Sequence, residues 1–357
     1  MPRSSLRHPP TAELPAFRRA LLAWHRRHGL HAPWRESGDP YHVLVAAVMA
    51  QQTQMSRVLP KYDAFLRAFP TVESLARAST AKVLRAWEGM GYNMRALRLQ
   101  RAAQRVVREG GFARGSDRLK PVPRSKLKPV PRKKAELERI EGIGPFTAAI
   151  VSSFAFGEPA AAIDTNVVRV VRRLAGDVDS RAPTRELRPA AERLLSRRAP
   201  ARWNQAMMDL GAVVCTARAP QCGSCPVARW CRARTHIARR VREGRASYVP
   251  SPTAGQASAS PTVGQASACR EPFLGSRRYY RGRIVQALRE LPAGKSMSKE
   301  ALRERIGMRA KERDAASRGQ ILRPSYGRTQ DDIGELIEAL SRDGLVRVDK
   351  RGNIRLP

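Results

Sequence analysis

The sequence is poor in acid: Asp and Glu total 31 against 67 Lys and Arg, for a net charge of +36 over 357 residues. An excess of this size is the electrostatic signature of a polyanion binder. No run approaches the ~20 apolar residues of a membrane-spanning helix. The opening MPRSSLRHPPTAELP lacks the apolar stretch of a secretory signal and reads as a short disordered lead, residues 1–13. Also missing is a basic amphipathic helix standing apart from a fold, which a membrane-surface role would need. Cysteine is scarce except in one place. Of five in the chain, four crowd between 215 and 231, and Cys269 stands alone at the end of a linker. That crowding, in an intracellular chain, argues for a metal site over disulfides.

What is present is helical periodicity. LPAFRRALLAWHRRHG and LRAWEGMGYNMRALRLQRAAQRVVREG space their apolar residues at helical intervals, with little β-branched alternation. A tandem LKPVPR at 119–124 and 127–132 reads as an exposed basic loop. Helical pattern resumes at 135 and runs to about 212. The duplication SPTAGQASA/SPTVGQASA, residues 251–268, has no core-forming side chains and marks a linker, placed at 241–272. Residues 273–357 read as a separate small domain of three helices and a terminal hairpin, LVRVDKRGNIRLP, the pattern of a winged-helix module.

Three motifs carry chemistry. In LERIEGIGPFTAAIVSSFAF, Gly142 and Gly144 permit a tight hairpin and expose backbone N–H groups at a helix start. Such a turn is either a phosphate site or an ordinary helix corner. In AAIDTNVVRVVRRL, Asp164 precedes an amphipathic helix. It is either a simple N-cap or a carboxylate set to face a sugar. Cys215, Cys222, Cys225 and Cys231 are spaced C-x6-C-x2-C-x5-C, which suits zinc or a [4Fe–4S] cluster, zinc being the commoner reading of four thiolates alone.

Together these motifs resemble the helix-hairpin-helix (HhH-GPD) DNA glycosylases with an iron–sulfur cluster, a family that includes endonuclease III and the MutY-type A/G-specific adenine glycosylases. The resemblance covers residues 14–240. It implies an all-α, two-lobed core with the site in the cleft between lobes, and it assigns the cysteine loop 215–231 to [4Fe–4S]. APWRESGDPYHVLV, MAQQTQM, FPTVESLARA and WEGMGYNMRALRLQRAA are most similar to the MutY type. By that resemblance Asp164 stabilises the sugar cation and Asn166 supports it. Arg35 lies in the adenine pocket, Gln52, Met90 and Tyr92 wedge into the base stack, and Gly142 and Gly144 hold a phosphate. The implied partner is double-stranded DNA with a mismatched or damaged base. A cytoplasmic, nucleoid-associated monomer with no membrane contact is expected.

Two positions depart from that pattern. The MutY type carries a Glu where this sequence has Ala47. Neutral adenine leaves poorly unless an acid protonates it. Phe146 stands where relatives carry Lys, Tyr or Ser, so no Schiff-base strand cleavage is expected. Three readings follow: a monofunctional MutY-type enzyme acting on adenine opposite G or 8-oxoguanine, a glycosylase for T or U opposite G, and a lesion-binding protein without turnover.

Overall fold

The computed structural model describes residues 9–112, 133–177, 184–243, 276–308 and 333–357. The LKPVPR tandem, the 251–268 duplication and Cys269 lie outside them. In chain order the helices are α1 (Leu14–His28), α2 (Pro40–Met49), α3 (Met55–Ala68), α4 (Val72–Arg77), α5 (Thr80–Ala86), α6 (Met94–Arg108), α7 (Lys134–Leu137), α8 (Pro145–Phe156), α9 (Thr165–Ala175), α10 (Thr184–Leu194), α11 (Pro200–Asp209), α12 (Arg234–Arg242), α13 (Arg277–Arg289), α14 (Lys299–Arg305) and α15 (Ile333–Arg342). The β-structure among the described residues is one short hairpin, β1 (Arg347–Val348) with β2 (Ile354–Arg355), and an antiparallel bridge from Ile354 to Met297. The all-α expectation holds for the core.

The chain divides into two compact units. The first takes in the described residues up to Gln52 and those from Arg105 to 243. Its helices start and stop where their caps direct. Helix α1 buries Leu14, Phe17 and Leu21, three- and four-residue steps along one face. Helix α2 is different: nine of its ten residues are buried, so it is apolar all round and not amphipathic. Helix α8 is equally apolar, begins with Pro145 after Gly144 and ends at Gly157, whose φ of 68° closes it in the left-handed region. Helices α2 and α8 pack on each other. A second layer joins α1, α9, α10 and α11 around Phe17, Leu21, Trp203 and Met207, all fully buried, and the cysteine loop lies against it.

The second unit combines Thr53–Gln104 with the C-terminal residues. Its helical part is centred on Phe65, which meets Trp87 edge-on at 5.8 Å and Phe69 at 4.9 Å. The C-terminal part is three helices and the hairpin, with Ile284, Leu288, Leu302, Leu336, Leu340 and Ile354 buried. Ser298 caps α14, as its position in the sequence suggests. Asp349 accepts from the amides of Arg351 and Asn353, both at 2.9 Å, and so closes the Lys-Arg-Gly turn. The two parts of this unit are joined directly. Helix α13 packs on α5, and the Ala81 amide donates to the carbonyl of Pro357 at 2.9 Å.

Candidate active site

Asp164 sits at the N-terminus of α9, half-buried, and both of its sequence readings meet there. Its carboxylate caps the helix, accepting from the Val167 amide at 2.7 Å, and it also receives the Asn166 amide group at 3.4 Å. Burial pushes its pKa above the ordinary aspartate value; the Val167 amide, the Arg169 guanidinium and Asn166 oppose that rise. The segment leading to it is held by Asn204, which is fully buried. Asn204 accepts from the Ala162 amide at 2.9 Å and donates to the Ala160 carbonyl at 2.8 Å and Ser153 Oγ at 3.0 Å.

From Asp164 a chain of polar contacts runs down α9. Asn166 accepts from Arg169 at 2.7 Å, and Arg169 donates again to the carbonyls of Cys215, at 2.7 Å, and Gly211. One turn on, Arg173 donates to the Thr216 carbonyl at 2.8 Å and to Cys215 Sγ at 3.1 Å. Both guanidiniums are buried, at 7% and 0% exposure, so their charge must be met inside the protein. It is met by carbonyls at the C-terminal end of the helical turn Leu210–Val214, where helices present negative dipole. Gly211 lets this happen. A Cβ there would stand 2.6 Å from Cβ of Asn166, so only glycine permits that approach.

The four cysteines line one pocket, with Val214 and Ile237 among its apolar walls. Among the described residues no three Cys, His or carboxylate groups converge as they would around a single ion. Burial, reinforced by the neighbouring Cys215, pushes Cys225 up to about 11 and Cys231 up to about 12. A cationic occupant would favour the thiolate form at these positions. The donor set fits [4Fe–4S], which Cys215, Cys222, Cys225 and Cys231 would hold.

Other predicted residues fall as follows. Ala47 is 7% exposed in α2, which carries no carboxylate from Pro40 to Met49. Asp39 is committed as the cap of α2, accepting from Tyr41 at 2.7 Å and His42 at 3.2 Å. It lies eight residues before Ala47, about 12 Å along the axis, and Glu36 lies farther back. Gly142 and Gly144 are exposed in the turn before α8, Gly142 with a φ of 91°. Phe146 is half-buried in the first turn of α8. Gln51 donates to Thr147 at 3.3 Å, joining the end of α2 to that same turn. Gln52, exposed, and Tyr92, half-buried, are the two non-glycine residues with positive φ among those described, at 55° and 45°. Such backbone is costly and gathers at functional sites.

One expectation needs correction. Met90 does not project from an exposed turn: it is 2% exposed. The flanking glycines bend the backbone so that its side chain enters the core while its carbonyl takes Arg95. Arg35 is engaged within the protein. Both its terminal nitrogens bind Asp209 at 2.7 Å, one also reaching the Leu30 carbonyl, and His25 Nε2 approaches the same carboxylate at 3.2 Å. Burial works against the Asp209 carboxylate, but Arg35, His25 and the Leu30 amide prevail and hold it down at about 2.

Against this geometry the comparisons are specific. The adenine DNA glycosylase of Mycobacterium tuberculosis is 36% identical over 276 residues, which are 75% of this chain and 77% of that protein. The chain belongs to the adenine DNA glycosylase family. Residues 45–197 match the HhH-GPD superfamily of base excision DNA repair proteins, and residues 215–231 match the iron–sulfur binding domain of endonuclease III. The human adenine DNA glycosylase is 35% identical over 239 residues, covering 63% of this chain; the chain spans only 41% of that relative and 45% of the rat one. Among solved structures, a thermostable thymine-DNA glycosylase aligns with a TM-score of 0.54 at 24% identity, covering 63% of this chain and 98% of that one. A trapped endonuclease III–DNA covalent intermediate aligns at 0.50 and 22%, covering 65% and 100%. At these identities the structural matches establish the fold. No helix among the described residues is long and apolar enough to cross a membrane.

Proposed function

We propose that the protein is a monofunctional DNA N-glycosylase of base excision repair, acting on adenine opposite G or 8-oxoguanine, and that Asp164 is its catalytic residue. The observation that carries this is the setting of Asp164: a half-buried carboxylate, oriented by Val167 and Asn166 and tied through Arg169 to the cysteine loop. As the N-glycosidic bond stretches, the sugar gains oxocarbenium character. A preorganised carboxylate stabilises that cation more strongly than water does, because it need not reorganise. The exposed Gly142–Gly144 turn supplies amides for a backbone phosphate. Gln52, exposed on positive-φ backbone in the same unit as Asp164, takes up the space of a nucleotide flipped out of the stack. Cys215, Cys222, Cys225 and Cys231 would hold the cluster, whose part would be structural, in the loop that Arg169 and Arg173 tie to α9. Phe146 offers neither amine nor hydroxyl, so the strand stays intact after base release. The protein works in the cytoplasm on nucleoid DNA, as a monomer.

A second reading, excision of thymine or uracil opposite guanine, is favoured by Ala47. These bases depart as delocalised anions and need less help from an acid. A third, lesion binding without turnover, differs only in rate. The test is single-turnover excision on duplexes with A opposite 8-oxoguanine, A opposite G, T opposite G and U opposite G, followed by alkali. Adenine release abolished by Asp164→Asn supports the first reading. Release of T or U alone supports the second. Tight mismatch binding with no release of any base supports the third and removes the catalytic role from Asp164.

A further inference from the structure

The C-terminal domain has no part in the scheme above, yet within its unit it grips one turn of the helical part. Helix α13 reaches the turn between α5 and α6 at both of its ends. Near its start, the Arg278 guanidinium lies 4.6 Å from the centre of the Tyr92 ring and donates to the Tyr92 hydroxyl. At its end, Arg289 donates to Asn93 Oδ1 at 2.6 Å. Eleven residues separate the two arginines, three helical turns, so they leave α13 on one face. Arg85 from α5 answers by donating to the Leu291 carbonyl at 3.2 Å.

The turn so gripped is also held from within the helical part. Arg95, 5% exposed, donates to the Met90 carbonyl at 2.8 Å, the Gly91 carbonyl at 3.3 Å and Thr53 Oγ1 at 3.0 Å. Trp87 donates to the Gly91 carbonyl at 3.1 Å. Tyr92 itself stays half-exposed with its φ at 45°. Its ring has two cations beside it, Arg278 and, at 5.4 Å, Arg95. An aromatic ring on strained backbone, flanked by guanidiniums, has the chemistry of a platform for nucleic-acid bases.

We infer that the C-terminal domain is a working part of the DNA-contacting surface, and that Arg278 is a positioning residue that fixes the Tyr92 ring for its contact with a disrupted base stack. The domain then contributes to telling a mismatched duplex from a matched one, which a domain that only added positive charge would not do. Charge alone strengthens binding to both duplexes alike. This inference rests on the glycosylase reading.

The experiment uses the full chain carrying Asp164→Asn, so that substrate stays intact, and measures affinity for an A·8-oxoguanine duplex and for its fully paired counterpart over a range of salt. Arg278→Met should lower the ratio of the two affinities about fivefold, the scale of one partly desolvated cation–π contact. In a Tyr92→Ala background the same change should lower the ratio no further. Arg277→Met is the control for lost charge, since Arg277 is exposed and faces Glu335 at 3.6 Å; it should weaken both duplexes equally. An Arg278→Met that likewise weakens both equally, or whose effect simply adds to that of Tyr92→Ala, overturns the inference while leaving the glycosylase reading intact. An unsubstituted chain, with Asp164 intact, that binds both duplexes alike and releases no base overturns both.

Discussion

Helices α2 and α9 lie buried in the same unit and are built from opposite chemistry. Helix α2 presents Val, Leu, Ala and Met on every side and has no charged group between Pro40 and Met49 apart from what His42 can carry. Helix α9 alternates valines with Arg169, Arg172 and Arg173, all buried, and begins on a carboxylate. An apolar helix satisfies its own backbone and asks nothing specific of its neighbours. A helix with buried guanidiniums forces its surroundings to supply acceptors at fixed points. The loop after α11 supplies them, and so the position of Asp164 is coupled to that of Cys215. The polar geometry that orients Asp164 is stored in α9, while α2 offers a smooth apolar wall with no acid.

Breaking the α9 side should have the largest effect. Asp164→Asn keeps the cap and the size of the side chain but removes the charge, and should slow single-turnover base release by about 10²–10³-fold with little change in melting temperature. A variant that retains full activity would place the catalytic group elsewhere. Sharpening the α2 side comes next. Ala47→Glu puts an acid on the smooth wall and should raise adenine release by on the order of 10²-fold while leaving T or U release nearly unchanged. Equal gains for all bases would mean that proton donation to the leaving base is not what α2 lacks.

Arg169→Met keeps the length of the stem but strands the Gly211 and Cys215 carbonyls and Asn166. A cost of about 3 kcal/mol in unfolding free energy is expected, with paler iron–sulfur absorbance near ~400 nm, from the loss of charged hydrogen bonds to buried acceptors. Denaturant melts that match the parent would mean those contacts are replaceable by water. Gly211→Ala should cost about 1–3 kcal/mol by overpacking, since the new Cβ must displace Asn166. Its loss of activity should exceed its loss of stability, which a comparison of excision rate with melting temperature resolves. The smallest effect is on pH. The raised pKa of Asp164 means that its working, ionised form is lost as pH falls through a value above the ordinary ~3.9. The acid limb of the excision rate should therefore lie above that value, and a limb at or below it would contradict the burial argument.

Legibility in the sequence tracked the range of each interaction. The cysteine spacing, the Gly-Ile-Gly turn, the cap at Asp164 and the Ser298 cap are written within a few residues and were readable as such. Asn204, Arg169, Arg173 and Gly211 were not singled out, because their partners lie 42 to 51 positions away in the chain, as from Arg169 to Gly211 or Asn204 to Ser153. The run WNQAMMDLGAVVC, with three polar residues and a glycine set among apolar ones, is the available signal. The burial of Met90 and the ion pair of Arg35 are out of local reach for a related reason. Flanking glycines announce a turn without saying which side chain it exposes, and an arginine in a motif does not announce the aspartate that will occupy it.

By itself the sequence determined the helical class, the basic surface that implies a polyanion, the cysteine ligand set and the absence of an acid from α2. These follow from composition and local spacing, which no folding event can alter. Only the tertiary structure decided that Arg35 is spent on Asp209, that Met90 is core, that Asp164 is wired through α9 to Cys215, and that the C-terminal domain holds the Tyr92 turn. Each depends on which buried charge finds which acceptor. That is settled by the cost of leaving either one unpaired when the elements close on each other.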